Sequence, residues 1–238
     1  EFIRVFMDTG WESQITYDYL DEIEKHVGKI HRIKASIKVK PEHAELVQSF
    51  EDRLGFESPF IRAVFYNRAF PSSMMKWCTR QLKIEPISKF LKDLDSDVVN
   101  LVGIRREESL RRSKMTEWEF NEGFDCWTWR PLIGWTLKDV IDIHHRFNII
   151  PNRLCIMAKK QEIKLLPPDR IDLIRDLEAA ISDLREKQST FFSRNWWRTP
   201  QMPIDDVRDW AATSRGGKQF ELFDTSEPTC RKWGLCHV

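Results

Sequence analysis

The sequence predicts an α/β fold in which a parallel twisted sheet carries helices on both faces, and three observations predict it. Short apolar runs with β-branched members alternate with segments of helical spacing, the pattern that parallel strands and crossover helices impose on a chain. Two of the runs end abruptly in glycine-containing polar turns, Asp8-Thr9-Gly10 and the stretch from Gly103, where the carboxyl ends of parallel strands would lie. The chain has 238 residues, 41% hydrophobic and 32% charged, enough for one good core and a polar surface.

Phe2, Ile3, Val5, Phe6 and Met7 read as a buried strand, and Asp8-Thr9-Gly10 breaks it before a helical pattern begins at Trp11. Gln14–Val27 follows as a helix with Ile15, Tyr19, Ile23 and Val27 on one face. Lys29–Val39 alternates as a second strand, and Pro41 opens a helix that runs to about Leu54. Gly55–Pro71 reads as an irregular connection. Met74–Leu94 reads as a helix that Pro86 restricts or kinks. Asp97–Val102 is a short buried strand, Trp127–Trp129 a further strand, and Thr136 caps a helix through Phe147. Pro168–Glu186 is an amphipathic helix with Ile171, Ile174, Leu177, Ile181 and Leu184 as its apolar face. The segment from Asn195 is rich in Trp, Pro, Gly and Cys and reads as an ordered extension without long elements. The expected division is an α/β domain over 1–188 and a C-terminal extension over 189–238 that packs on the site.

Thirty-eight basic residues against 37 acidic ones leave a formal charge of +1, so any site for a polyanion must be local. No apolar run approaches the roughly 20 residues that span a bilayer, and no signal peptide is recognisable, so a cytoplasmic protein without a membrane partner is expected. Five cysteines, an odd number, argue for reduced thiols with metal binding or catalysis as roles to weigh, rather than a disulfide framework.

A carboxylate, a hydroxyl and a glycine at a strand's carboxyl end suit a ligand, although the same string serves as an ordinary helix cap. In Gly103–Arg112, Gly103 lets a ligand approach the backbone, and Ser109 adds a hydroxyl. Arg105, Arg106, Arg111 and Arg112 offer planar forks for phosphate or sulfate. The alternative for this stretch is a solvated basic helix start with Glu107 and Glu108 against the dipole. Arg80 and Lys83, three apart, share a helical face beside Cys78, and cationic neighbours favour a thiolate over inert packing.

Taken together, VFMDTGW, FPSSMMKWCTRQLKIEP, VVNLVGIRREESLRR, WRPLIGWTLKDV and NRLCIMAKK resemble the phosphoadenosine-phosphosulfate reductase family, a branch of the adenine-nucleotide α-hydrolase-like proteins. The motifs keep the family's order from about Val5 to Lys160, and CRKWGLC near the C-terminus looks like the phage-type branch. The resemblance implies a five-stranded parallel sheet with an adenine nucleotide at the strands' carboxyl ends. It implies Asp8, Thr9, Gly10 and Trp11 beside the adenosine, Arg80, Lys83, Arg105 and Ser109 near phosphate or sulfate, Gly103 beneath them, and Arg130 as a ligand contact. Two departures stand out. The family's first strand and SGGKDS-type phosphate loop are not found before Glu1, and Ser214–Lys218 reads as a nest-like turn, not a transplanted loop. Phage-type relatives carry a GCxPC pair where this chain has only Cys155.

The implied activity is that of a sulfonucleotide reductase-like enzyme on adenosine phosphosulfate or phosphoadenosine phosphosulfate, with Cys236, Arg105 and Lys83 as the catalytic candidates and a small redox protein as partner. Two other readings are ATP-dependent sulfur transfer to nucleic acid and a non-catalytic nucleotide sensor. Cys78, Cys155, Cys230 and Cys236 are the expected ligands of one metal centre, a 4Fe–4S cluster with zinc as the alternative, and Cys126 is left to packing. With free thiols instead, Cys236 becomes the nucleophile.

Overall fold

The computed structural model describes residues 2–72, 75–94, 97–147, 149, 163, 166–192 and 202–213. The α/β class holds. Strand β1 (Arg4–Asp8) pairs in parallel with β2 (Ile30–Lys34) across the helix α1 (Gln14–Val27), from Arg4 opposite Ile30 to Asp8 opposite Lys34. The ladder stops at Lys34 because β1 stops at Asp8. Ala35, Ile37 and Val39 leave the expected longer strand and pack onto the core instead. Nor is β1 buried from its start, as its apolar run suggested: Phe2 is 70% exposed and Ile3 46%.

A 3-10 turn at Pro41–His43 leads into α2 (Ala44–Leu54), which Gly55 terminates in the left-handed conformation. Helix α3 (Pro59–Asn67) follows, where an irregular connection was expected. The Ser58 hydroxyl accepts the Ile61 amide at its start, and Pro59 occupies the first turn. Phe60, Ile61, Ala63, Val64 and Phe65 are all within 1% of full burial. A helix enclosed on nearly every side has no polar face, hence no period to read.

The next helical stretch changes pitch. Trp77–Thr79 forms α4, Arg80–Ile84 a π turn, and Glu85–Asp93 forms α5. Pro86 is the cause: it has no amide to donate to Leu82, and its ring would meet the Leu82 carbonyl in an unbroken α-helix. The wider turn, closed by the Glu85 amide on the Arg80 carbonyl, absorbs that conflict.

Strand β3 (Val99–Leu101) pairs in parallel with β5 (Cys126–Trp129), which pairs antiparallel with β4 (Trp118–Asn121). The described strands thus form two sheets, β1-β2 and β3-β5-β4, rather than one parallel sheet of five. Helix α6 (Leu137–Arg146) starts with the expected Thr136 cap, reinforced by Asp139, whose carboxylate accepts the Thr136 amide at 2.7 Å.

Helix α7 (Pro168–Arg185) buries Ile171, Ile174, Leu177 and Ile181 on the expected face, in one core with Val47, Phe50 and the Phe60, Ile61, Ala63, Val64 and Phe65 side chains of α3. Beyond residue 188 the extension contains a helix after all, α8 (Ile204–Ala212), and Phe191 and Ile204 join the same core. Among the described residues no helix is long and apolar enough to cross a membrane.

Candidate functional site

The carboxyl end of β1 runs into a polar turn that is buried and fully hydrogen-bonded. Asp8 and Thr9 are 3% and 2% exposed. The Asp8 carboxylate accepts the Gly10 amide and the Tyr17 hydroxyl through Oδ1, each at 2.8 Å, and Lys34 Nζ stands 3.5 Å from Oδ2. The Thr9 hydroxyl donates to the Glu12 carboxylate at 2.8 Å, which also takes the Trp11 amide at 3.2 Å. Helix α3 clamps the turn from its N-terminus: Ser58 Oγ donates to the Gly10 carbonyl at 2.6 Å, and the Phe60 amide to the Thr9 carbonyl at 2.9 Å. Gly10 has a φ of +68° and lies against Pro59, so the position needs glycine twice over.

Trp11, expected beside a ligand, is a core residue at 5% exposure, packed on Phe60 and Phe191 at centroid distances of 4.7 and 5.6 Å. Arg170, at the start of α7, lies 3.9 Å from its ring and donates to its carbonyl at 2.6 Å. Tyr17, Lys34, Ser58 and Arg170 were not singled out from the sequence. Only Ser58-Pro59 carried a local signal, that of a helix start.

Burial pushes the Glu12 carboxyl above its ordinary 4.5, opposed by the Thr9 hydroxyl, and burial likewise lowers the Arg170 guanidinium. The Tyr17 phenol is raised by burial and by its bond to Asp8. A carboxyl raised on folding holds its proton more tightly in the native state than in the unfolded chain. Its contribution therefore favours folding at acid pH and falls away as pH rises from 4.5 through the native value. Glu12→Gln is expected to flatten that decline, and melting temperatures of both proteins between about pH 4 and pH 8 check it. Parallel curves would mean that Glu12 is not the titrating group.

The second cluster, after β3, lies on the other sheet and not on the edge that carries Asp8. Its Arg105 side chain is 14% exposed and pairs with Glu107 at 3.1 Å and Glu108 at 3.6 Å. Arg112 is buried against Glu108, and its amide donates to the buried Ser109 hydroxyl at 3.2 Å. Glu107 also accepts the Leu137 amide at 2.6 Å, tying this loop to α6. Gly103 faces Leu132, 3.7 Å from where a Cβ would stand. Arg130 is 5% exposed and bonded to the Thr116 carbonyl and to Glu119, at 3.0 and 2.6 Å. Arg105, Arg112 and Arg130 thus brace the hairpin and its loop, whereas Arg106 and Arg111 are exposed and pair with no described acid.

In the third cluster, Arg80 is 67% exposed beside Glu85 at 3.4 Å, and Lys83 and Cys78 are half-buried. The π turn spreads Arg80 and Lys83 around the helix, so they do not share the α-helical face expected for a spacing of three. The π turn packs against β1. Beside it, Trp77 Nε1 and Thr79 Oγ1 are buried without a hydrogen-bond partner among the described residues. Cys126 is buried with its thiol pushed up by desolvation, as a packing residue would be. Cys155, Cys230, Cys236 and the Ser214–Lys218 string lie outside the described residues, and no group of three or more His, Cys, Asp or Glu suited to a metal occurs among the described ones.

A parallel β-α-β unit with a buried polar turn at the strand's carboxyl end defines an α/β protein. Residues 1–158 match the phosphoadenosine phosphosulfate reductase domain, and the chain belongs to that family. It is similar to an uncharacterised 37.8 kDa protein from the gpa 5′ region of Escherichia phage 186, 27% identical over 279 residues that cover 92% of this chain and 83% of the phage protein. An uncharacterised protein of Methanocaldococcus jannaschii is 29% identical over 111 residues, 46% of this chain and 18% of its own length. The phage relative accords with the phage-type tail of the sequence.

Proposed function

We propose that this protein is a sulfonucleotide reductase-like enzyme acting on adenosine phosphosulfate or its 3′-phosphorylated form. The observation that carries this reading is the Asp8–Glu12 turn. It is rigid, buried and clamped by α3 at the carboxyl end of a parallel strand, where open α/β sheets take their ligands. Its side chains are spent on holding the backbone, so the adenosine would meet the backbone and the rim of this turn. The π turn packs against β1, and beside it the Thr79 hydroxyl and the Trp77 indole N–H are buried without a partner among the described residues. Among the described residues, Lys83, Arg106 and Arg111 are cations available to neutralise sulfate and phosphate, and Arg80 would join them by leaving Glu85. Arg105 would have to leave Glu107 and Glu108 to join them.

In the reaction, a cysteine thiolate, for which Cys236 is the candidate, attacks the sulfate sulfur. The bond between that sulfur and the bridging oxygen breaks, and the adenylate leaves with the oxygen. A dithiol redox protein then takes the S-sulfonated cysteine: one thiol displaces sulfite, the second closes a disulfide, and the two electrons come from that pair. Cys78, Cys155, Cys230 and Cys236 remain the proposed ligands of an iron–sulfur centre, which would supply redox chemistry. Iron analysis after anaerobic purification, expected near four irons per chain, tests that assignment separately and, if it succeeds, removes Cys236 from the nucleophile's role.

The deciding measurement is product release by the purified chain with each sulfonucleotide and a dithiol reductant. Sulfite with stoichiometric adenylate is expected. Pyrophosphate from ATP in the presence of a nucleic-acid acceptor, without sulfite, would transfer the protein to the sulfur-inserting class. Binding without either product would make it a sensor.

A further inference from the structure

Six arginines among the described residues are buried or half-buried. Five of them sit on a carboxylate: Arg62 on Glu51, Arg105 on Glu107, Arg112 on Glu108, Arg130 on Glu119 and Arg175 on Asp205. The sixth, Arg170, has no acid within ion-pair distance among the described residues. Its Nη2 donates to the Trp11 carbonyl at 2.6 Å and reaches the Glu12 carbonyl at 3.5 Å, while its plane lies over the Trp11 ring. Carbonyl dipoles and a ring face orient a guanidinium but cancel no charge. Its Nε and Nη1 donate to no described residue. Burial accordingly holds this group below its ordinary pKa, with the more distant Asp169, Tyr17 and Glu12 opposing the shift.

We propose that Arg170 is an anion-binding residue of the nucleotide site, taking a phosphate or sulfate group of an adenylate through the N–H groups it leaves unspent. The proposal rests on the reductase-like reading above and adds to it a residue that no motif supplies. A half-buried cation without a counter-ion is costly, and an arriving anion relieves that cost. The planar donors of a guanidinium match phosphate and sulfate oxygens. The place is right as well. Trp11 follows Gly10, so the bond to its carbonyl fixes the guanidinium at the rim of the turn that ends β1, where open α/β sheets take ligands. The two acids of the turn are engaged elsewhere: Asp8 faces Lys34 at 3.5 Å, and Glu12 accepts the Thr9 hydroxyl and the Trp11 amide. With one nitrogen held by carbonyls and its plane held by the ring, Arg170 loses little freedom on binding. It lies on α7, beyond the 1–158 stretch that matches the family's domain, so this cation is contributed by a later part of the chain.

Calorimetric titration of the chain with adenosine, adenosine 5′-monophosphate and adenosine 3′,5′-bisphosphate separates recognition of charge from bracing of the turn. The wild-type chain is expected to bind both phosphorylated ligands more tightly than adenosine. Arg170→Met, whose stem still covers the Trp11 ring, is expected to cut that advantage about tenfold or more. The cut falls on both ligands if Arg170 holds the 5′ group, and on the bisphosphate alone if it holds the 3′ group. Arg170→Gln, which can still donate to the Trp11 carbonyl but carries no charge, is expected to do the same and serves if the methionine variant fails to fold. Arg170→Lys should recover part of the loss, since it restores the charge without the fork. Bracing alone would weaken all three ligands alike and leave their ratio as in the wild type. That result, or no change, overturns the proposal, and sulfite release by the wild-type chain still judges the reductase reading separately. A wild-type chain that binds none of the three overturns both.

Discussion

Gly10→Ala is expected to be the most damaging single-methyl change in the protein. A Cβ at Gly10 would stand 2.6 Å from Pro59 Cδ and 2.9 Å from Ser58 Cα, the second of these on the backbone, and the φ of +68° disfavours any L side chain. The left-handed conformation costs about 1–2 kcal/mol and forced overpacking about 1–3. The sum lowers the melting temperature by on the order of 10 °C for a chain of this size. Nucleotide affinity is expected to fall with it, because Ser58 Oγ and the Phe60 amide can no longer hold the turn where it is. Differential scanning fluorimetry with and without nucleotide separates the two losses. Melting within a degree or two of wild type would mean that α3 slides away from β1 freely, against the buried contacts that fix it.

Glu178→Ala is expected to release the chain after α7 from the core. The Glu178 carboxylate is 6% exposed and accepts the Phe191 amide at 2.8 Å and the Ile204 amide at 2.9 Å. Burial pushes this carboxyl up, and the two amides oppose the shift by stabilising its charged form. Removing it leaves two buried donors unpaired, at about 1–3 kcal/mol each. Glu178→Gln, which keeps one acceptor oxygen, should lose about half as much. Limited proteolysis offers a local readout: cleavage between Glu186 and Ile204 should appear in the alanine variant well below its melting temperature. If Glu178→Ala is instead neutral, the 189–213 segment is held by Phe191 and Ile204 packing, the Arg175–Asp205 ion pair and the Ser189–Ser182 hydrogen bond.

Periodic segments with a polar face were legible in the sequence, and fully enclosed or mixed ones were not. Helix α7 shows its stripe because its opposite face meets water; α3 shows none because it meets protein nearly all round. Thr136 with Asp139 is a local device and reads locally. Strand β4 escaped because Trp118 and Phe120 alternate with Glu119 and Asn121 over only four residues. The site was legible as a place, not as a set of roles. Asp8-Thr9-Gly10 marked the turn, but the groups that lock it come from far along the chain: Ser58 is 48 residues from Gly10, and Arg170 is 159 from Trp11. Likewise the run of arginines after β3 promised free charge, and the same run supplied the glutamates that neutralise Arg105 and Arg112.

The π turn at Arg80–Ile84 has the effect of one residue added to an α-helix, and each residue of an α-helix is worth about 100° of rotation. It therefore sets the angular offset between the helical ends on either side of it. Trp77 and Leu82 are aimed into the core, while Phe90 on α5 is aimed at His31 of β2, their rings 6.4 Å apart. A straight α-helix would couple those two aims rigidly. With the extra residue in place, the half carrying Cys78 and Thr79 and the half held against the sheet are oriented independently. A one-residue deletion here would re-aim one of them while leaving every neighbouring side chain unchanged in kind.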